Sequence, residues 1–158
     1  PGVSVQKTPL HQSHRELGAR MVDFAGWDMP VQYSGILDEH RAVRERAGLF
    51  DVSHMGRLEV SGPASTQVVD SLVTQLESGR AAYGFCCNDA GFILDDIIVY
   101  RLGAEEWLVI CNAGNREPIT SLFAETSARL GANFVDRSDA TALIALQGPR
   151  ARALLPEA

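Results

Sequence analysis

Two adjacent carboxylates, Asp95 and Asp96, sit in the middle of the apolar run GFILDDIIVYR, residues 91–101. Successive side chains of a strand point to opposite faces. Asp95 therefore shares a face with Ile93, Ile97 and Val99, and Asp96 shares the other with Phe92, Leu94, Ile98 and Tyr100. Whichever face is the core, one carboxylate points into it. Two readings fit these residues. In the structural one the strand twists, and the aspartate lies at an edge or caps a neighbouring turn. In the chemical one a carboxylate is held in a half-apolar pocket. Desolvation raises the pKa of such a group, which can then hold a cation or exchange a proton. Tyr83, Phe92, Tyr100 and Trp107 would give that pocket an aromatic rim suited to a flat heterocycle.

The other reactive side chains form weaker patterns. His11 and His14 are three apart with no third ligand near in sequence, so loop solvation or capping is expected rather than a metal. His40 falls on the inner stripe of an expected helix and reads as a hydrogen-bonded packing residue. Cys86, Cys87 and Cys111 form no C-x-x-C, and an odd count makes a poor disulfide framework; small buried hydrophobes in a reducing compartment are expected. There is no G-x-S-x-G, Walker A or G-x-G-x-x-G pattern.

The elements that must position these residues follow an α+β order, an antiparallel sheet with packed helices. Residues 8–33 are irregular, with short strands at ARMVDF and MPVQY. A helix is expected over 34–47, capped by Ser34, with Ile36, His40 and Val43 on one stripe and Gly48 ending it. GRLEV (56–60) is a strand, after which Gly62-Pro63 opens a helix. AAYGFCC, GFILDDIIVYR and EWLVICN make an antiparallel meander, joined by the turn-rich NDA and LGAE. NREPITSLFAETSARLG is a second helix with Pro118 in its first turn, and ANFVD and TALIALQ are further strands. LEVSGPASTQVVDSL and LIALQGPRARALLPE repeat one plan of strand, polar residue, Gly-Pro and helix. The expected organisation is an N-terminal segment 1–50, a first α+β subdomain 51–140, and the truncated start of a second at 141–158.

The chain of 158 residues is 46% hydrophobic and 22% charged, enough to bury one sizeable core. The net charge of -6 with scattered Lys and Arg excludes a basic nucleic-acid footprint. No run approaches the ~20 apolar residues of a membrane helix. The N-terminus PGVSVQKTPL has neither an initiator Met nor a signal-like segment.

TPLHQSHRELGARMVDFAGWDMPVQY, EHRAVRERAGLFDVSHMGRLEVSGP, GFILDDIIVYR and CNAGNRE resemble, in order and spacing, the aminomethyltransferase (T-protein) family of the glycine cleavage system. The match runs from about residue 8 to 152. The resemblance implies a tetrahydrofolate-binding enzyme built on a duplicated α+β folate-binding domain. Such an enzyme takes the aminomethyl group from the lipoyl arm of the H-protein, forms 5,10-methylenetetrahydrofolate and releases ammonia. It implies no metal, no nucleic acid and no membrane, and a cytoplasmic location if bacterial or the mitochondrial matrix if eukaryotic. The family's essential carboxylate, the second Asp of LDD, falls on Asp96, beside the reactive edge of the folate. Asp95 then supports the sheet. Met55, Tyr83 and Asn112 fall on positions that line the folate, and Asn112 can hold the cavity loops by side-chain hydrogen bonds. Folate-dependent demethylases, the folate domains of sarcosine or dimethylglycine oxidases, and non-catalytic folate-binding relatives are the alternatives. VDFAGWDMPVQY and FDVSHMG match the T-protein more closely, and the LDD carboxylate counts against the non-catalytic reading.

The sequence departs from the family in four places. It is less than half the usual length, and the pterin-recognising Glu and Arg are expected beyond residue 158. LVTQLESGRAAY is shorter than usual, which puts the loop before Tyr83 in doubt. Phe92 stands where Gly or Thr is usual, and Pro118-Ile119 where Lys-Asp is usual. The 158-residue piece alone is expected to bind folate weakly and to be inactive.

Overall fold

The computed structural model describes residues 5–72, 79–88 and 90–156. The centre of the shortened stretch LVTQLESGRAAY, at 73–78, lies outside the described residues. The element order is α1 (His11–Glu16), β1 (Arg20–Phe24), β2 (Trp27–Gln32), α2 (Ile36–Glu45), β3 (Gly48–Asp51), β4 (Gly56–Ser61), α3 (Ser65–Asp70), β5 (Ala81–Cys87), β6 (Ile93–Arg101), β7 (Glu106–Cys111), α4 (Arg116–Leu130), β8 (Asn133–Asp136) and β9 (Ile144–Gln147). This is the expected α+β class with antiparallel sheets. The chain divides into two compact units, Met55–Thr141 and Pro1–His54 with Ala142–Ala158.

The contiguous unit is a five-stranded sheet in the order β5-β6-β7-β4-β8, with every neighbouring pair antiparallel. One face carries Leu58, Val60, Cys86, Ile97, Val99, Trp107, Val109 and Cys111. It packs on Val68 and Val69 of α3 and on Ile119 and Phe123 of α4. Ile119 and Phe123 are four apart and so stack on one side of α4. Burial of each such side chain contributes roughly 1.5–3 kcal/mol. Pro118 lies in the first turn of α4, and Gly131 ends it in the left-handed conformation at φ 83°.

The second unit joins the antiparallel hairpin β1-β2 to the antiparallel pair β3-β9. The two Gly-Pro sites share a backbone: Gly62 and Gly148 have φ 94° and 118°. At Gly148 a Cβ would also lie 2.6 Å from the carbonyl oxygen of Arg46, so only glycine fits there.

Several local expectations are corrected. Residues 11–16 form a helix whose two histidines are buried, rather than a solvated loop. Helix α2 runs over 36–45, not 34–47, and Gly48 opens a strand. Ser34 is not its cap. Instead Glu39 Oε1 reaches back to accept from the backbone N–H groups of Tyr33, Ser34 and Gly35 at 2.7–2.9 Å. The bonds from Gly35 and Tyr33 hold the Glu39 pKa below the usual glutamate range. His40 is exposed rather than packed. Pro63 lies in a turn closed by Ser65 N–H on the Gly62 carbonyl, two residues before α3.

Candidate functional site

The register of the sheet brings the expected site residues to one end of it. Met55 precedes Gly56, and Asn112 follows Cys111, which is paired with Gly56. Asp95 and Asp96 lie in the adjoining half of β6, opposite Cys86 and Phe85. A bulge between Cys86 and Cys87 skips Leu94, so the strict alternation expected for 91–101 fails at Ile93 and Leu94, both exposed.

The two carboxylates part as strand geometry demands. Asp95, 3% exposed, continues the core face with Ile97 and Val99. Asp96 lies on the opposite face with Ile98 and Tyr100, beside Tyr83 and Phe85 of β5. Trp107 leaves the expected aromatic rim. It is buried in the core face, with the Arg101 guanidinium 5.0 Å from its ring centroid. Phe85, 54% exposed and paired with Asp96, takes a place in that rim that composition did not single out.

Asp95 accepts three hydrogen bonds: from the Asn112 backbone N–H at 2.8 Å, Asn112 Nδ2 at 3.0 Å and Asn115 Nδ2 at 2.7 Å. Asn112 Nδ2 also donates to Asp96 Oδ1 at 2.9 Å and to the Asp96 carbonyl at 3.0 Å. The other oxygen of Asp96 accepts from the Tyr83 hydroxyl. That bond, followed by burial and the charges of Asp96 and Asp95, raises the Tyr83 pKa above the usual tyrosine value. The structure thus joins Tyr83, Asp96 and Asn112 in one network. Met55, at the same end of the sheet, contributes its carbonyl to an Arg57 N–H at 2.6 Å. Asn115 carries an unexpected share. The signal for it was its spacing from Asn112, because residues three apart in a 3₁₀ turn lie on one side.

Burial, then the Cys87 and Asp95 charges, push the Cys86 thiol up to about 11. Burial, then the Asp95 charge, push Cys111 to about 12. Both are inert packing groups at neutral pH. Among the described residues, no group of three or more His, Cys, Asp or Glu is arranged to hold a metal ion. Among the same residues, no helix is long and apolar enough to cross a membrane.

The second unit has its own polar cluster. Asp51 accepts from Thr8 Oγ1 at 2.6 Å, His14 Nε2 at 2.8 Å and the Ser53 backbone N–H at 2.9 Å. His14 Nδ1 lies 2.8 Å from the Tyr33 hydroxyl, and His11 Nε2 lies 2.7 Å from Asp28. A cavity of about 530 Å³ in this unit is lined by Tyr33, Ile36, His40, Val43, Leu49 and Phe50, among others, and none of the Asp96 network.

Residues 10–158 match the family described as the GCVT N-terminal domain. The aminomethyltransferase of Herpetosiphon aurantiacus is 49% identical over 155 residues, which cover 96% of this chain and 43% of that relative. The aminomethyltransferase of Saccharopolyspora erythraea is 49% identical over 152 residues, covering 94% and 41%. The crystal structure of the glycine cleavage system aminomethyltransferase T from Bartonella henselae superposes with a TM-score of 0.86 at 34% identity, over 95% of this chain and 42% of that one. The chain therefore spans under half the length of these relatives. The family match over 10–158 includes every residue of the Asp95–Asp96 network, and with the superposition beside it the chain belongs to the GCVT N-terminal domain family.

Proposed function

We propose that this chain is the N-terminal part of an aminomethyltransferase. The enzyme moves the aminomethyl-derived carbon from the lipoyl arm of a lipoylated H-protein to tetrahydrofolate. The products are 5,10-methylenetetrahydrofolate, ammonia and the free dihydrolipoyl thiol. The observation that carries this reading is the Asp96 carboxylate, fixed between Tyr83 and Asn112 on the sheet face that bears Phe85 and Tyr100. A carboxyl group on an apolar, aromatic surface suits a flat, polar heterocycle laid against it. Tyr83, Asn112 and Met55 line the folate. Asp96 orients it and stabilises the positive charge that develops on the one-carbon unit as ammonia leaves and N5 attacks. A preorganised carboxylate does this without reorganisation at the moment of reaction. Residues 141–158 open a second subdomain of the same plan. The enzyme works in the cytoplasm of a bacterium or the mitochondrial matrix of a eukaryote.

The test is an assay of the full-length protein with aminomethyl-loaded H-protein and tetrahydrofolate. Methylenetetrahydrofolate and ammonia should form in equal amounts, and dimethylglycine should give none. Turnover of dimethylglycine with none from H-protein would move the chain to the demethylase and oxidase relatives.

A further inference from the structure

We propose that Asn115 is a positioning residue for the reaction at Asp96, acting through Asp95 and Asn112; this rests on the reading of Asp96 given above. The inference comes from counting hydrogens. The Asn112 amide has two N–H hydrogens and three acceptors in range: Asp95 Oδ1, Asp96 Oδ1 and the Asp96 carbonyl, at 3.0, 2.9 and 3.0 Å. The carboxylates compete for one amide. Asp95 is the more deeply buried and has the greater need of donors, because an unsatisfied buried charge is costly.

Asn115 settles that competition. Its Nδ2 lies 2.7 Å from Asp95 Oδ1, the oxygen that the Asn112 amide also reaches, while the Asn112 backbone N–H occupies Asp95 Oδ2 at 2.8 Å. With both Asp95 oxygens supplied, the Asn112 amide is left to hold Asp96. Remove the Asn115 amide, and Asp95 draws the Asn112 hydrogens to itself. Asp96 then keeps the Tyr83 hydroxyl and loses the donor on its other oxygen. The carboxylate gains rotational freedom, and a group that must be held within a fraction of an ångström for catalysis is no longer held.

The 3₁₀ turn Ala113–Asn115 makes this possible. It puts Asn115 one turn beyond Asn112, with the Asn115 N–H on the Asn112 carbonyl at 3.1 Å, so both amides approach Asp95 from one loop.

The experiment is a double-mutant cycle in the full-length enzyme. Asn115→Ala and the milder Asn115→Ser, whose hydroxyl is too short to reach Asp95, should each lower kcat about tenfold, the effect of one lost hydrogen bond to a charged group. The KM for tetrahydrofolate should stay within about twofold, because Asn115 acts through Asp95 and Asn112, and an effect confined to kcat marks a transition-state interaction. In the Asp96→Asn background the same substitutions should cost no further activity, since they act only through Asp96. Wild-type kcat in both Asn115 variants, a rise in KM alone, or losses that add fully to that of Asp96→Asn would each overturn the assignment while leaving the functional reading intact. A fully active Asp96→Asn enzyme would overturn the functional reading and this inference with it.

Discussion

Asp95 and Asp51 both bury a carboxylate that accepts several hydrogen bonds, yet their surroundings do different work. The partners of Asp51 come from separate segments: Thr8 ahead of α1, His14 within it, and Ser53 after β3. His14 passes the link on to Tyr33, beyond β2. Asp51 is thus a staple holding distant pieces of its unit together. Burial works against its charge, but the bonds from Ser53, Thr8 and His14 outweigh it and hold its pKa below the usual aspartate range. The donors to Asp95 are neutral amides from one short loop. They tie little together, and what they fix is the direction of the neighbouring carboxylate. The contrast separates residues that hold a fold from residues that hold a geometry, and substitutions should expose it.

The largest effect is expected at Asp96. In the full-length enzyme Asp96→Asn should lower kcat by about 100-fold or more, the usual cost of one preorganised electrostatic group, with an unchanged melting temperature. His14→Ala should do the reverse. It leaves the Asp51 carboxylate buried, 1% exposed, without its one charge-capable partner. Denaturant titration should then show a loss of about 2 kcal/mol. Asp95→Asn is expected to be intermediate, with about tenfold lower turnover. It sets an amide N–H against the Asn112 backbone N–H, and a greater loss than in Asp96→Asn with the fold intact would reverse the roles assigned to the pair.

The pH dependence is smaller and has a defined sign. A depressed carboxylate pKa stabilises the fold above the unfolded value, near 4, and that contribution is lost as pH falls through the folded value. Asp51 behaves so. So does Asp136, where bonds from Ser138 and the Arg116 charge outweigh burial. Thermal melts should therefore show stability falling below about pH 4. Tyr33 is raised by burial and by the charges of Asp51 and Glu39, so its contribution is present below the unfolded value, near 10, and lost above it. His14→Ala should blunt the acid loss assigned to Asp51. The smallest effect is expected for Tyr83→Phe. Tyr83 is 67% exposed, and a two- to fivefold fall in kcat/KM is the expected outcome of losing one exposed hydrogen bond.

What could be read from the sequence was local. The meander β5-β6-β7, helix α4 with Pro118 and Gly131 at its ends, and the opposite facing of Asp95 and Asp96 all follow from periodicity and turn chemistry over short windows. What escaped depends on distant partners or on a few residues. Helix α1 is six residues long, too short for a helical period to register, and its buried His11 and His14 find their partners, Asp28 and Asp51, in other elements. Strand β3 has four residues, and its partner β9 lies at the far end of the chain. The cap of α2 comes from inside the helix, from Glu39, and not from Ser34 ahead of it. Asp96 stood out as a candidate through its motif. The bond from Asn115 to Asp95 did not, because three acceptors for one amide is a fact of three dimensions.

The pairing of β3 with β9 also bears on how the chain comes to be folded. Ser53 and the Leu143 carbonyl that pairs with it are 90 residues apart, and everything between Met55 and Thr141 belongs to the other unit. During synthesis β3 is made early and must wait for its partner. Closing so long a flexible loop would cost about 4 kcal/mol. The inserted unit can remove most of that cost in advance. Arg57, at its beginning, donates from its backbone to Ser138 Oγ at 2.8 Å and from Nε to Thr141 Oγ1 at 2.8 Å, which draws the two ends of the insertion together. Once that clasp forms, the long loop becomes a short one. The middle of the chain acts as a jig that brings late-made residues to early-made ones, and Arg57→Ala should slow refolding of the outer unit more than it slows the inner one.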